Sequence, residues 1–263
     1  MNGNFKEAHF TQPGSHLGNR VLWLSSTEST MCDAALLAER GAAEGLVVVA
    51  GAQSAGQGRA GRIWAAPAWS SLLCSIVLTP IVSPAAIPTL SLLAGLAAAE
   101  AIETLVPVRI ELKWPNDLWL EGRKLGGLLI KARSRGTART TLVLGIGINV
   151  STRIEELPPN ATSLAETGRE LPSFAEVLTA LLERLGSRYA EWIQCDGWAE
   201  LSSWRARAAL LGEVVTVEEA GTIHTGRYLD VADDGALLLG CAGMAPRRIV
   251  AGDLIRGPRA VSV

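Results

Sequence analysis

The sequence predicts an α+β chain: strands and helices up to about Leu211, followed by a small all-β module. Three observations carry this. Short apolar runs bounded by turn residues share the first part of the chain with long helical stretches. Between Val108 and Val150 the strand-like runs follow one another at hairpin spacing. From Gly212 onward the text changes to short strands joined by turns such as "ADDG", over about fifty residues, the size of a small β-barrel.

The elements follow in order. Residues 1–20 are polar, lack the apolar core of a signal peptide and read as a flexible leader, too short for a helix-turn-helix domain. Arg20–Leu24 is a short strand. "STESTMCDAALLAERG" is a helix, with Thr30 and Asp33 spaced as a capping box and Gly41 as its stop. "GLVVVAGAQ" and "LLCSIVL" read as buried strands. Ser91–Leu105 is an apolar helix, and Glu100 and Glu103 within it argue for a buried helix over a membrane span. "VRIELKW", "LWLEG", "KLGGLLIKAR" and "TTLVLGIGINV" are strands, with turns at Glu121–Lys124 and Arg133–Arg139. Ser173 and Glu176 cap an amphipathic helix whose stripe is Phe174, Val177, Leu178, Leu181, Leu182 and Leu185. Another helical piece runs to about Leu211, and "EVVTV", "TIHTGRYL", "ALLLG" and "RRIV" are the strands of the last module.

Composition narrows the function. A net charge of −2 over 263 residues gives no global reason to expect nucleic-acid binding, so any anion site must be local. Cys32, Cys74, Cys195 and Cys241 are scattered, as reduced thiols of a cytoplasmic protein are. His9, His16 and His224 lack metal-ligand spacing.

The segment "GAQSAGQGRAGRIW" (Gly51–Trp64) contains the spacing G-x-G-x-x-G at Gly56, Gly58 and Gly61. A dinucleotide loop also needs a following helix and an acid about twenty residues on. Here a strand follows, and no Asp or Glu lies between Gly45 and Ala99. A Walker A loop fails for want of Gly-Lys-Ser/Thr. What remains is a pair of guanidiniums, Arg59 and Arg62, among glycines that let backbone approach an anion. Alone, this would be a solvated turn.

Three further segments keep it company. In "KWPNDLW", Pro115, Asn116 and Asp117 are ordinary turn residues. At a strand end, however, Asp117 suits a lysine or a metal-bound phosphate, and Asn116 a base or ribose. Lys113 stands out in a chain with only four lysines. "RKLGGLL" places Lys124 before Gly126 and Gly127, and "GIGINV" places Gly145 and Gly147 inside an apolar strand, a sign of close approach by a ligand or backbone. Asn149 either ends that strand or serves a nucleotide.

Ser29-Thr30, Gln53, the Gly-Arg loop, K-W-P-N-D, R-K-L-G-G and G-I-G-I-N, in this order, resemble the biotin protein ligase family. The family pattern G-R-G-R-x-G-R-x-W is matched by Gly56–Trp64 except at Gln57, where the pattern has Arg. Met31 stands where Asn is common. The likeness is strong over about residues 20–150 and continues in layout and length beyond.

The resemblance implies a mixed β-sheet with helices packed on it, of class II synthetase type, over residues 21–211, and an SH3-like barrel over 212–263. It implies activation of biotin with ATP to biotinyl-5′-AMP, Mg2+ riding on the ATP phosphates, and transfer to a lysine of a biotin carboxyl carrier protein domain. By the same likeness Arg59, Lys124 and Asp117 are catalytic. Ser29, Thr30, Met31, Gln53, Gly56, Gln57, Gly58, Arg59, Lys124, Gly127 and Gly145 face biotin. Arg59, Arg62, Trp64, Lys113, Trp114, Asn116, Lys124 and Asn149 face ATP or the adenylate. Ser29 and Thr30 also suit plain helix capping. Neither nucleic acid nor membrane is expected as a partner, and exposed sheet edges leave a homodimer open. A lipoate or octanoate ligase and a non-catalytic biotin- or nucleotide-binding regulator are the competing readings.

Overall fold

The computed structural model describes residues 6–8, 17–133, 140–241 and 244–256. Eight strands form the main sheet: β1 (Lys6–Ala8), β2 (Arg20–Leu24), β3 (Leu46–Ala50), β4 (Ser71–Leu78), β5 (Glu111–Lys113), β6 (Asp117–Leu120), β7 (Arg123–Arg133) and β8 (Thr141–Asn149). Their order is β1-β2-β3-β4-β8-β7-β6-β5. β2 and β3 run parallel, and the other neighbouring pairs are antiparallel. The sheet is therefore mixed.

Helices cover it unequally. α1 (Thr30–Glu39) packs through Ala34 and Ala35 on the face carrying Val48, Val77 and Val143. The opposite face, with Val49, Ile76 and Ile146, meets α2 (Ile87–Leu105) and α3 (Phe174–Gln194). A strand covered on both sides needs apolar residues at every position, which explains the unbroken run of β3. α2 is apolar nearly all round because sheet, α3 and the C-terminal module enclose it; its length and composition would suit a membrane span, but it is mostly buried. Its Glu100 is answered by Arg188 of α3 at 2.6 and 2.9 Å. The α3 capping box at Ser173 and Glu176 is present, and five of the six expected stripe residues are buried.

The last module is a five-stranded antiparallel sheet, β9 (Val214–Glu219), β10 (Thr222–Val231), β11 (Leu237–Gly240), β12 (Arg247–Ile249) and β13 (Asp253–Arg256), in the order β12-β11-β10-β9-β13. Its core residues Val217, Tyr228 and Leu237 join the same apolar cluster as α2. Arg205, in the short helix α4 (Ser202–Arg205), grips this module through Asp230 at 3.0 Å and Asp233 at 2.8 Å.

Several expectations change. Within the segment read as a leader, Lys6–Ala8 pairs with β2. Thr30 is the first residue of α1 and not its cap; its expected partner Asp33 accepts from Thr27 Oγ1 at 2.5 Å. α2 begins earlier, at Ile87, where Pro88 is pre-organised for a first turn. The helical piece toward Leu211 shrinks to α4. β13 was not expected as a strand. Of the turn expected at Arg133–Arg139, residues 134–139 lie outside the described residues.

Candidate active site

Because α1 covers only one end of its face of the sheet, the rest of that face is left as the floor of a cavity. Strand register aligns Leu73, Gly147, Gly127 and Asp117 across β4, β8, β7 and β6. Directly paired residues share a face. The two glycines in the middle make the floor shallow, and other side chains lie across it. A Cβ on Gly147 would sit 2.6 Å from the Trp64 ring, and one on Gly145 would sit 2.8 Å from Met31 Sδ. A Cβ on Gly127 would meet Lys124 Nζ at 3.2 Å and Asp117 Oδ1 at 3.3 Å.

Lys124 reaches this face because the strand is irregular. Leu118 pairs with Gly126 but Trp119 pairs with Lys124, so Leu125 is an extra residue in β7. In regular alternation Lys124 would share the face of Gly126, opposite Gly127. The bulge turns it over, as bulges beside active sites do. Its backbone is then fixed by Asn160 O at 2.9 Å and Thr162 N at 2.8 Å. Its ammonium pairs with Asp117 at 2.7 Å and lies 5.6 Å from the centre of the Trp64 ring.

The Gly-Arg segment is a small hairpin over the cavity. Trp64 N donates to Gly56 O at 2.9 Å, Gly58 N to Arg62 O at 2.7 Å and Arg62 N to Arg59 O at 3.0 Å. Ala60 (φ 51°) and Gly61 (φ 75°) make the turn, both at the positive φ that a tight primed hairpin turn requires. Gly56 does not line the cavity; its role is steric, since a Cβ there would strike Trp64 O at 2.3 Å. Arg59 Nη1 donates to Asn116 Oδ1 (3.2 Å), Gly252 O (3.2 Å) and Asp253 Oδ1 (3.3 Å). Arg62 meets the same Asp253 at 2.8 Å. Burial pulls the Arg59 guanidinium below its ordinary value, opposed by Asp253.

At the α1 end, Gln53 Oε1 accepts from Thr30 N (2.8 Å) and Thr30 Oγ1 (3.1 Å), and Thr30 Oγ1 bonds Ser75 Oγ at 2.8 Å. Two buried donors, Ser29 Oγ and Trp64 Nε1, have no hydrogen-bond partner among the described residues. Trp119 Nε1, Thr162 Oγ1, Arg207 Nε and Tyr228 Oη share this state outside the cavity lining.

Of the residues expected from sequence, Thr30, Met31, Gln53, Gln57, Gly58, Arg59, Arg62, Trp64, Asn116, Asp117, Lys124, Gly127, Gly145 and Asn149 line one cavity. Ser29 lies just behind it, as the residue before α1. Asn149 stands at the edge with its amide committed, donating to Thr162 O at 2.9 Å and accepting from Ser71 Oγ at 3.2 Å. Two residues belong elsewhere. Trp114 is 1% exposed and donates to Gly235 O at 2.9 Å, so it ties the sheet to the C-terminal module and has no free face for a base. Lys113 lies in an adjoining cleft, 5.0 Å from the Trp119 ring, with its ammonium pulled below the usual lysine value by burial.

Sequence reasoning missed Asp253, whose link to the arginines spans more than 190 residues of chain. It also missed Pro158 and Ala161, which line the cavity, Ala161 bridging to Lys124. Trp64 sets the cavity's depth. Gly147→Ala is expected to push its ring into the cavity, raise the KM of a substrate bound there about tenfold and lower the melting temperature, because the added methyl overpacks the contact. Steady-state kinetics beside a melting curve checks this; an unchanged KM would show the ring can yield.

Residues 23–149 match the model of the biotin/lipoate A/B protein ligase family. A biotin–[acetyl-CoA-carboxylase] ligase of Mycobacterium tuberculosis is 35% identical over 88% of this chain and 87% of its own length. One from Paracoccus denitrificans is 32% identical over 86% and 96%. The biotin protein ligase of Aquifex aeolicus, solved in complex with biotin and ATP, superposes with a TM-score of 0.78 at 27% identity, covering 90% of this chain and 99% of the other. The fold, the glycine-floored cavity and these likenesses agree: the chain belongs to the biotin/lipoate A/B protein ligase family, among its biotin ligases.

Proposed function

We infer that this chain is an ATP-dependent biotin ligase, which joins biotin to AMP and then passes the biotinyl group to a lysine of a biotin carboxyl carrier domain. The observation that carries this reading is one cavity holding two chemistries. Apolar and neutral hydrogen-bonding groups (Met31, Leu129, Thr30, Gln53) line it together with Lys124, Arg59 and Arg62. That pairing suits a molecule with a largely apolar body and a carboxylate, placed against a phosphate.

In the first step an oxygen of the biotin carboxylate attacks the α-phosphorus, and the bond to pyrophosphate breaks. Two anions must approach, and cations fixed in advance lower that barrier. Lys124, held by Asp117, suits the point where carboxylate and phosphate meet, and Arg59 and Arg62 suit the phosphates. In the second step the acceptor amine attacks the biotinyl carbonyl carbon, and AMP leaves with the bonding pair. The hairpin over the cavity suits exclusion of water from the mixed anhydride.

Among the described residues no three His, Cys, Asp or Glu side chains cluster as metal ligands. The donor set here is cationic, with Asp117 already paired to Lys124. It fits Mg2+ arriving on the ATP phosphates, where the ion would neutralise charge. The free cysteines fit a reducing, cytoplasmic setting, and burial raises the Cys74 thiol to about 12, which keeps it protonated.

Incubation with ATP, labelled biotin and a biotin carboxyl carrier domain tests the reading. Pyrophosphate release and label on the carrier are expected. Release with octanoate alone would make the chain a lipoate-type ligase. Tight biotin binding without transfer would make it a binding regulator.

A further inference from the structure

At position 57 the hairpin carries Gln where the family pattern places a cation, and its surroundings give that glutamine two partners. Lys131 Nζ donates to Gln57 Oε1 at 2.6 Å, and Gln57 Nε2 donates to Cys32 Sγ at 3.2 Å. The partners come from opposite sides. Cys32 follows the cavity residue Met31 in α1. Lys131 lies on β7 two residues beyond the cavity residue Leu129, so strand alternation puts both on the cavity's face of the sheet. Gln57 also faces Ile63 across the hairpin and precedes Gly58, whose backbone lines the cavity.

We propose that Lys131 is a positioning residue for the biotin-side arm of this hairpin: through Gln57 it fastens the arm between β7 and α1 and supplies from the sheet the positive charge that the hairpin lacks at position 57. The role rests on the ligase reading above. A glutamine side chain can accept from an ammonium and donate to a thiol at once, which an arginine, a donor only, cannot. Gln57 and Lys131 are therefore matched to each other. Restoring arginine at 57 in this chain would set a guanidinium against the Lys131 ammonium, a like-charge contact.

The test is a charge exchange. Lys131 is exposed at the end of β7, so its variants are expected to fold. Lys131→Met should raise the KM for biotin and speed loss of biotinyl-5′-AMP about three- to tenfold, the scale of one net hydrogen bond, with kcat little changed. Lys131→Arg should stay near wild type. Gln57→Arg, although it restores the family residue, should be impaired at least as much as Lys131→Met, and adding Lys131→Glu should bring it back to within about twofold. In the ligand-free chain, trypsin cleavage after Arg59 and Arg62, counted apart from cleavage at the site that Gln57→Arg itself adds, should follow the same order, which reads the fastening without any biotin chemistry. A neutral Gln57→Arg, or strictly additive effects in the double variant, would overturn the proposal. If the wild type binds no biotin, the ligase reading falls, and the tryptic order still decides whether Lys131 holds the hairpin.

Discussion

Lys124→Met is expected to lower the rate of biotinyl-5′-AMP formation by about a hundred- to a thousandfold, the scale found when one preorganised charge-stabilising donor is removed. The geometry explains the size. Lys124 is turned onto the cavity by the Leu125 bulge, pinned through its backbone by residues 160–162, and paired with Asp117 at 2.7 Å. Little reorganisation is left for the reaction to bring about. Methionine keeps the length of the chain and loses the charge. It also strands the Asp117 carboxylate beside incoming phosphates, which is a second way to lose rate. The double variant Lys124→Met/Asp117→Asn separates the two. Continued inactivity would assign the loss to the missing ammonium, and recovery would assign it to the stranded carboxylate. Transfer from preformed biotinyl-5′-AMP should suffer less than its formation, because the α-phosphate is not attacked in that step. A pyrophosphate-release rate within about threefold of wild type in Lys124→Met would remove Lys124 from the chemistry.

How much of this was readable in the chain depends on how far each feature reaches. The Gly-Arg hairpin, K-W-P-N-D and the glycines of β7 and β8 are local patterns, and they meet in one cavity because β4, β8, β7 and β6 are neighbours in the sheet. Hairpin spacing gave β5 to β8 in advance for the same reason. Facing was harder. Trp114 stands two residues before the cavity residue Asn116, but Gly235, 121 residues away, takes its indole N–H. In regular alternation Lys124 would face away from Gly127, and only the register slip against β6 reverses it. Asp253 lies in a strand that carries no motif, and its value comes entirely from where the C-terminal module docks. Gln57 was recognised as a departure from the family pattern, yet its meaning required Lys131, a surface lysine with no pattern of its own.

Arg59→Ala is expected to speed dissociation of biotinyl-5′-AMP about ten- to a hundredfold, which is what losing one charge-assisted hydrogen bond of about 1.5–3 kcal/mol would do. Two features decide that this arginine matters more than Arg62. The Arg59 side chain is 24% exposed and the Arg62 side chain 60%, so solvent screens the second far more than the first. The contacts of Arg59 to Asn116, Gly252 and Asp253 also use a single nitrogen, Nη1, which leaves the other edge of the guanidinium fork uncommitted by them. Asp253 thus holds Arg59 at the cavity in advance, where a bound phosphate would meet a guanidinium that is already placed. Arg62→Ala should accordingly cost less, about two- to fivefold. Stopped-flow displacement of the adenylate from each variant measures both. Equal rates in wild type and Arg59→Ala would mean that the guanidinium serves only to dock the C-terminal module, and the melting temperature of Arg59→Ala would then fall while its adenylate retention stayed unchanged.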